Sequence, residues 1–259
     1  MITFESLSSY REITHFCTTR EGGFSQENYA SFNLSPYSGD NPEHIALNQH
    51  TLCQKLGLAP ENLLIPFQAH GIEVRKIDGA FFEQSQAERN TCLHGVDALI
   101  TDLQHVCIGV TTADCVPVLF FDPVRRAVAV AHAGWRGTCG RIAEKTVEAL
   151  VQSYHTDPQD VRVVIGPSIS ADVYEVGAEV VGLFRDANFN VSEIVVRQNN
   201  SFYLDLWKAN QLSLLEAGIQ PSHIEISGIC SFTEHTRCFS ARRLGIKSGR
   251  MLSGIMIRS

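Results

Sequence analysis

Residues 111–138, TTADCVPVLFFDPVRRAVAVAHAGWRGT, restrict the fold more than any other stretch of the chain. Two short apolar runs, Val116–Phe121 and Ala127–Ala131, read as buried strands. Asp122-Pro123 turns the chain between them, which predicts a hairpin. In a hairpin the start of the first strand lies beside the end of the second. Cys115, at the mouth of the first run, and His132, at the exit of the second, are therefore expected to meet. A thiol and an imidazole held on adjacent strand ends suit a nucleophile–base pair or two thirds of a metal site. They also suit a small core residue beside a hydrogen-bonded histidine.

The remaining chain alternates short strands with single helices. Strands are expected at residues 13–19, Leu63–Phe67, Ala98–Thr101, Val106–Thr111, Val161–Ile165, Ile224–Ile226, Arg237–Arg243 and Met251–Ile257. Asn41 as N-cap, Pro42 at N1 and Gly57 as terminator bound a helix over 41–57. An apolar stripe through Ile142, Val147, Leu150, Val151 and Tyr154 predicts a second helix over Arg141–Tyr154. Gly177–Asp186 and a segment capped by Asp205 and running to Ala217 predict two more. Residues 80–92 lack periodicity and read as a loop or irregular helix. The alternation implies a mixed sheet in an α+β or α/β fold, with no clean domain boundary across residues 1–259.

Chemistry-bearing residues outside the hairpin are few. QAHG at 68–71 places His70 before a glycine, where a tight turn can aim the ring into a cleft. His70, Cys115 and His132 form a Cys/His₂ set, 45 and 17 residues apart, too widely spaced for a zinc finger but suited to an open site built from separate loops. Gly22-Gly23 lets the backbone approach a ligand, with Arg20, Ser25 and Asn33 as donors to an anion. Arg136 and the helix end beyond it offer a second anion site. On the residues alone, a plain glycine turn with solvated polar neighbours is the favoured reading of the first of these.

The bulk properties exclude more than they assign. The net charge is −7 with Lys and Arg scattered, so no basic face points to nucleic acid. No run of 18 apolar residues suggests a membrane span. The N-terminus has no signal-peptide pattern, and the eight cysteines contain no CxxC pair, so a reducing cytoplasm is the expected compartment.

The motifs TTADCVPVLF and AVAVAHAGWRG, with QAHG upstream, resemble the multicopper polyphenol oxidase or laccase-domain family, the bacterial YfiH-like relatives of the human laccase-domain-containing protein. The likeness runs over nearly the whole chain: TTREGGFS, SFNLSPYSGDNPEH, GVDALIT, IGPSIS with YEVG, DLWKAN, and FSARRLGIKSGRM. The resemblance implies one domain with a four-layer α/β/β/α arrangement and two mixed sheets, a fold similar to that of a bacterial toxin deamidase. It implies metal ligation by His70, Cys115 and His132, with zinc as the metal and copper as an alternative. It implies phosphorolysis of adenosine, inosine, guanosine or methylthioadenosine, with adenosine deamination as a second activity, in a monomer or homodimer. Deamination needs activated water, which a three-ligand zinc supplies.

Phosphorolysis needs an anion site, for which Arg20, Ser25, Asn33, Arg136 and, more weakly, Arg242 and Arg243 are the candidates. A proton donor for the leaving base is also required, for which Asp97 or Asp114 is the candidate. Asp114 equally suits a turn that positions Cys115. Two other activities stay open. One is a Cys–His amidohydrolase of cell-wall precursor editing, with Cys115 as nucleophile and His132 as base. The other is copper-dependent phenol oxidation, which the lack of any H-x-H pair disfavours. The chain departs from the family pattern at Tyr37-Ser38-Gly39-Asp40 (often H-x-G-D), at Gln49 (often Arg) and at Cys238 (often Phe).

Overall fold

A computed structural model describes residues 1–258. Its strands are β1 Ile13–Cys17, β2 Leu63–Leu64, β3 Val74–Lys76, β4 Ala98–Thr101, β5 Cys107–Thr112, β6 Val116–Asp122 and β7 Ala127–Ala133. They continue with β8 Arg162–Ile165, β9 Glu175–Val176, β10 Val195–Gln198, β11 Ser201–Leu204, β12 Ile224–Ile226 and β13 Met251–Ile257. The β6–β7 hairpin forms as the apolar runs demand, with Asp122 paired to Ala127 at the turn and Val116 to Ala133 at the open end. Asp122 closes the turn by accepting the Val124 and Arg125 N–H groups at 2.8 and 2.9 Å.

This hairpin is the middle of a six-stranded mixed sheet ordered β12-β8-β6-β7-β4-β3. A second mixed sheet, ordered β1-β13-β5-β2, packs against it. Side chains alternate across a strand, and the two faces of the hairpin meet different layers. Leu119, Phe121, Val128 and Val130 join Ile108, Val110 and Ile255 between the sheets. Val118, Phe120 and the alanines 127, 129, 131 and 133 face the opposite way, toward helices Ile142–Tyr154, Ala178–Asp186 and Leu206–Glu216. Small side chains on that face let helix Ile142–Tyr154 settle close to β7. Helix Pro42–Leu56 covers the outer face of the four-stranded sheet through Leu52, against Phe16, Leu252 and Met256. The result is the four-layer α/β/β/α arrangement.

The helix over 42–56 carries the expected ends: the Asn41 side chain accepts the Glu43 N–H, and Gly57 takes φ +63. Several boundaries differ from the sequence reading. β2 stops at Leu64, because Ile65-Pro66 leaves the sheet to deliver the QAHG loop. Arg237–Arg243 is not a strand. Ser240 caps a short helix, Ala241–Leu244, by accepting the Arg243 N–H. Residues 80–92 hold two short helices, Gly79–Glu83 and Gln86–Cys92, the second begun by a capping box between Ser85 and Glu88 that its S-x-x-E pattern announces. A small third sheet, β10-β11-β9, lies beside the main pair and has no counterpart in the sequence reading. No helix among the described residues is long and apolar enough to cross a membrane.

Candidate metal centre

Strand parity aims the two hairpin residues. His132 shares the face of Val128 and Val130, and Cys115 precedes Val116 on the partner strand, so both lie at the open end of the layer between the sheets. His70 joins them from the loop after β2. That loop is pinned to β5 by Gln68, whose carbonyl accepts the Thr111 N–H at 2.8 Å and whose amide donates to the Thr111 carbonyl at 2.9 Å. His70 takes φ +59 ahead of Gly71. The candidate ligand atoms of His70, Cys115 and His132 all lie within 4.8 Å of one another, and the two imidazoles stand edge to face at 4.7 Å. His132 is buried, Cys115 partly buried and His70 exposed, so the cluster opens to solvent on one side.

Asp97 organises this cluster from behind. Its carboxylate accepts His132 Nδ1–H at 2.8 Å and the N–H groups of Ala69, His70 and Gly71 at 3.2, 3.0 and 2.7 Å. The Asp97 carbonyl also accepts the His132 N–H at 2.7 Å. One fully buried carboxylate thus fixes both the loop bearing His70 and the orientation of His132, leaving His132 Nε2 for the cluster. Carboxylate–histidine–metal arrangements have this form. Burial opposes ionisation of Asp97, but the His132 imidazole and the loop N–H groups hold its carboxyl below the usual range. Burial likewise opposes charge on Cys115 and His132. Each nonetheless shifts the other, so the thiol falls to about 6 and the imidazole rises. Two nitrogens and a readily ionised thiol, converging on one point at an open edge, fit a divalent metal with a free coordination position. Gly134 completes the fit: a Cβ there would stand 3.0 Å from Cys115 Sγ and 3.2 Å from His70 Cδ2.

The cluster forms part of a cleft of about 430 Å³, also lined by Ser35, Tyr37, Ser38, Thr111, Thr112, Ala241, Ile246, Lys247 and Arg250. A larger cleft of about 880 Å³ runs along Ile13–Phe16 and Lys55–Leu58 and contains none of these residues. Arg250 and Lys247 are the cations of the metal-side cleft, and neither is in an ion pair among the described residues. The Arg250 guanidinium donates to the carbonyls of Ile246, Ser248 and Gly249. Sequence reasoning missed both. Their position depends on the C-terminal segment returning to the mouth of the hairpin, which no local pattern encodes.

The other sequence candidates fall elsewhere. Arg20 donates to the carbonyls of Ala30 and His235 and lies over the Phe239 ring. Ser25 and Asn33 are buried. Ser25 accepts from Asn48, and Asn33 donates to Ser38 and Asp40. These three residues are absent from the cleft lining, and their polar groups shape the 20–40 segment. Arg136 is exposed and stacks on Trp135 at 4.3 Å. The helix end beyond it is taken by Arg141, paired with Glu144 and Glu216. Arg242 donates to the Glu175 carbonyl, and Arg243 to that of Phe232. The Asp114 carboxylate accepts Ser231 Oγ–H at 2.7 Å and the Arg242 N–H at 2.6 Å, so it ties the 241–250 wall to the bend that carries Cys115 into β6.

Residues 14–258 match the family model described as "Multi-copper polyphenol oxidoreductase laccase". The chain is 46% identical over 259 residues to a purine nucleoside phosphorylase of Bacteroides thetaiotaomicron, covering 99% of this chain and 96% of that protein. It is 42% identical over 260 residues to adenosine deaminase RL5, from an unknown prokaryote, covering 98% and 99%. The crystal structure of YlmD from Geobacillus stearothermophilus superposes with a TM-score of 0.89 at 34% identity, covering 96% of this chain and 93% of that one.

Proposed function

Because the chain belongs to the multi-copper polyphenol oxidoreductase laccase family, whose similar members include proteins named for purine nucleoside phosphorolysis and adenosine deamination, we propose that it is a zinc-dependent purine nucleoside phosphorylase with adenosine deaminase side activity. The observation that carries the reading is the convergence of His70, Cys115 and His132, backed by Asp97, in a cleft whose cations have no carboxylate partners among the described residues. Zinc would be held by these three side chains, where it supplies Lewis-acid activation of water or of a substrate oxygen. Two imidazoles and one thiolate suit zinc, whereas a multicopper centre needs more imidazoles than this cluster offers.

The chain's own residues have separate tasks. Lys247 and Arg250 attract and orient phosphate by charge and N–H donation. Asp97 keeps His132 in one tautomer and holds the His70 loop in register. Asp114, its carboxylate engaged by Ser231 and Arg242, holds the cationic wall at its distance from Cys115. The buried inner end of the cleft excludes water from one side of the bound sugar.

The test is phosphate-dependent release of free base from inosine and adenosine by metal-analysed protein, beside Cys115→Ala. Ribose 1-phosphate formation that falls more than about 100-fold in the variant, with loss of bound zinc, is the expected result. One zinc per chain with no product in the presence of phosphate overturns the phosphorylase assignment.

A second reading rests on the mutual shift of Cys115 and His132, which also suits a Cys–His amidohydrolase. Activity that survives chelation and is lost to alkylation would select it.

A further inference from the structure

The cleft above the metal cluster is polar and cationic at its floor but carries apolar side chains at its mouth. Tyr37 is 51% exposed and Ile246 81% exposed, and both line the cleft that contains His70, Cys115 and His132. Neither is on a loose segment. Tyr37 stands edge to face against Phe67 at 5.0 Å, and Phe67 stacks on His94 at 4.6 Å with the rings 10° from parallel. The Tyr37 segment is tied down on either side: its N–H bonds Ser35 Oγ, and Asn33 grips Ser38 and Asp40. Ile246 sits in a turn that Arg250 laces from inside, through the Ile246, Ser248 and Gly249 carbonyls. Ser248 closes the same turn by donating to the Gly245 carbonyl at 2.7 Å.

Singly exposed apolar side chains are ordinary; what sets Tyr37 and Ile246 apart is that both stand on braced segments and line the same cleft as the His/Cys cluster. That placement suits a ligand that brings a flat apolar face to the mouth while its polar part lies over the floor.

We infer that Tyr37 and Ile246 form a clamp for the flat heteroaromatic ring of the substrate, with Tyr37 as the stacking face and Ile246 as the opposite jaw. This rests on the nucleoside reading above and assigns the specificity-determining contact within it. The site therefore selects ligands by possession of a planar ring more than by the hydrogen-bonding edge of that ring. An aromatic face accepts any base, because every base has a π-surface. Adenine and hypoxanthine nucleosides are thus both admitted, and a ring-free sugar phosphate loses the contact.

The experiment is calorimetric binding of inosine, adenine and ribose 1-phosphate to the zinc-loaded protein, for wild type, Tyr37→Ala, Tyr37→Phe and Ile246→Ala. Zinc content is measured in each as the check on folding. Tyr37→Ala is expected to bind inosine and adenine roughly 10- to 100-fold more weakly, and Tyr37→Phe within about threefold of wild type. Ile246→Ala should lose about three- to tenfold, as expected for one partly exposed aliphatic contact. All four proteins should bind ribose 1-phosphate alike. Equal affinity of wild type and Tyr37→Ala for the ring ligands overturns the inference. So does an equal loss for ribose 1-phosphate, which would mark a change of cleft shape, and so does failure of zinc-loaded wild type to bind any ring ligand. If ring ligands bind through Tyr37 but inosine is not phosphorolysed, the clamp stands and the phosphorylase assignment falls.

Discussion

Asn48 and Asp97 are both fully buried, and each gathers a loop by bonding its backbone. Asn48, on helix Pro42–Leu56, accepts the Phe24 N–H at 2.9 Å and donates to Ser25 Oγ and to the Asn33 carbonyl at 2.9 and 2.8 Å. Asp97 accepts three successive N–H groups of the QAHG loop and the His132 ring. Both draw in a glycine-bearing loop. At Gly23 the approach is so close that a Cβ would stand 2.6 Å from Asn48 Oδ1. The difference lies in what is left over. Around Asn48 the amide, hydroxyl and carbonyl groups satisfy one another, and the loop is complete. Around Asp97 the bonds orient the His132 ring and seat the backbone of the His70 loop beside a thiol, and three ligand atoms remain within 4.8 Å of one another. A buried polar hub marks a site only when it leaves donor atoms facing a common point.

The sharpest way to break the comparison is Asp97→Asn. An amide accepts less strongly and offers N–H groups to a loop of donors, so His132 loses its fixed tautomer. Zinc affinity is expected to fall about 10- to 100-fold, read by competition with a chromogenic chelator. An unchanged affinity would mean that Asp97, like Asn48, merely holds a loop. Asn48→Leu should do the converse. With the Phe24 N–H and the Asn33 carbonyl left without a partner, stability falls by about 3 kcal/mol in urea unfolding. Zinc affinity of the folded fraction should not move.

Titration gives a third comparison, between cysteines. In metal-stripped protein, iodoacetamide should alkylate Cys115 with a midpoint near pH 6. The histidines beside it outweigh burial, so the thiolate persists to lower pH than in an ordinary thiol. Cys139, raised by burial, should react only at higher pH, and peptide mass mapping separates the two. A Cys115 midpoint at the usual thiol value would remove the coupling to His132. The smallest expected effect is Gln49→Arg. Gln49 bonds the Leu34 carbonyl at 3.3 Å, at the base of the segment that carries Tyr37. A cation there is expected to lower the phosphate KM by about two- to fivefold, the scale of one partly screened charge, and an unchanged phosphate dependence would rule the position out.

Much of this arrangement is local and therefore legible in the sequence. Two apolar runs and Asp122-Pro123 dictate the hairpin, and hairpin register alone brings Cys115 to His132. His70 has no such signal beyond the following glycine, and its place comes from the family motif. The polar residues of TTREGGFS resemble anion donors because their partners lie far along the chain. Asn48 reaches Ser25 across 23 residues, and Arg20 bonds the His235 carbonyl across 215. The reverse holds for Ile246, Lys247 and Arg250. Their local sequence, GIKSGR, resembles an ordinary turn, and only the return of β13 to β5 sets that turn beside the cluster. The Arg237–Arg243 segment misled because the buried apolar pair Cys238-Phe239 resembles part of a strand, while Ser240 caps a helix. The third sheet escaped because its strands are only two to four residues long, too short for an alternating pattern to show.

The His70–Cys115–His132 cluster is also a seam. His70 is carried by the loop that Gln68 fastens to β5 of the four-stranded sheet, whereas Cys115 and His132 flank the hairpin at the centre of the six-stranded one. An ion held by all three would add one more tie between the two sheets, beside the Asp97 bonds that already join the His70 loop to the six-stranded sheet and the apolar core between them. By linkage, a metal that binds only the folded form raises the free energy of unfolding by about 2.7 kcal/mol at a hundred times its dissociation constant. The same ion that equips the cleft for chemistry would then act as a fastener, and the melting temperature of the protein would report how much of it is loaded.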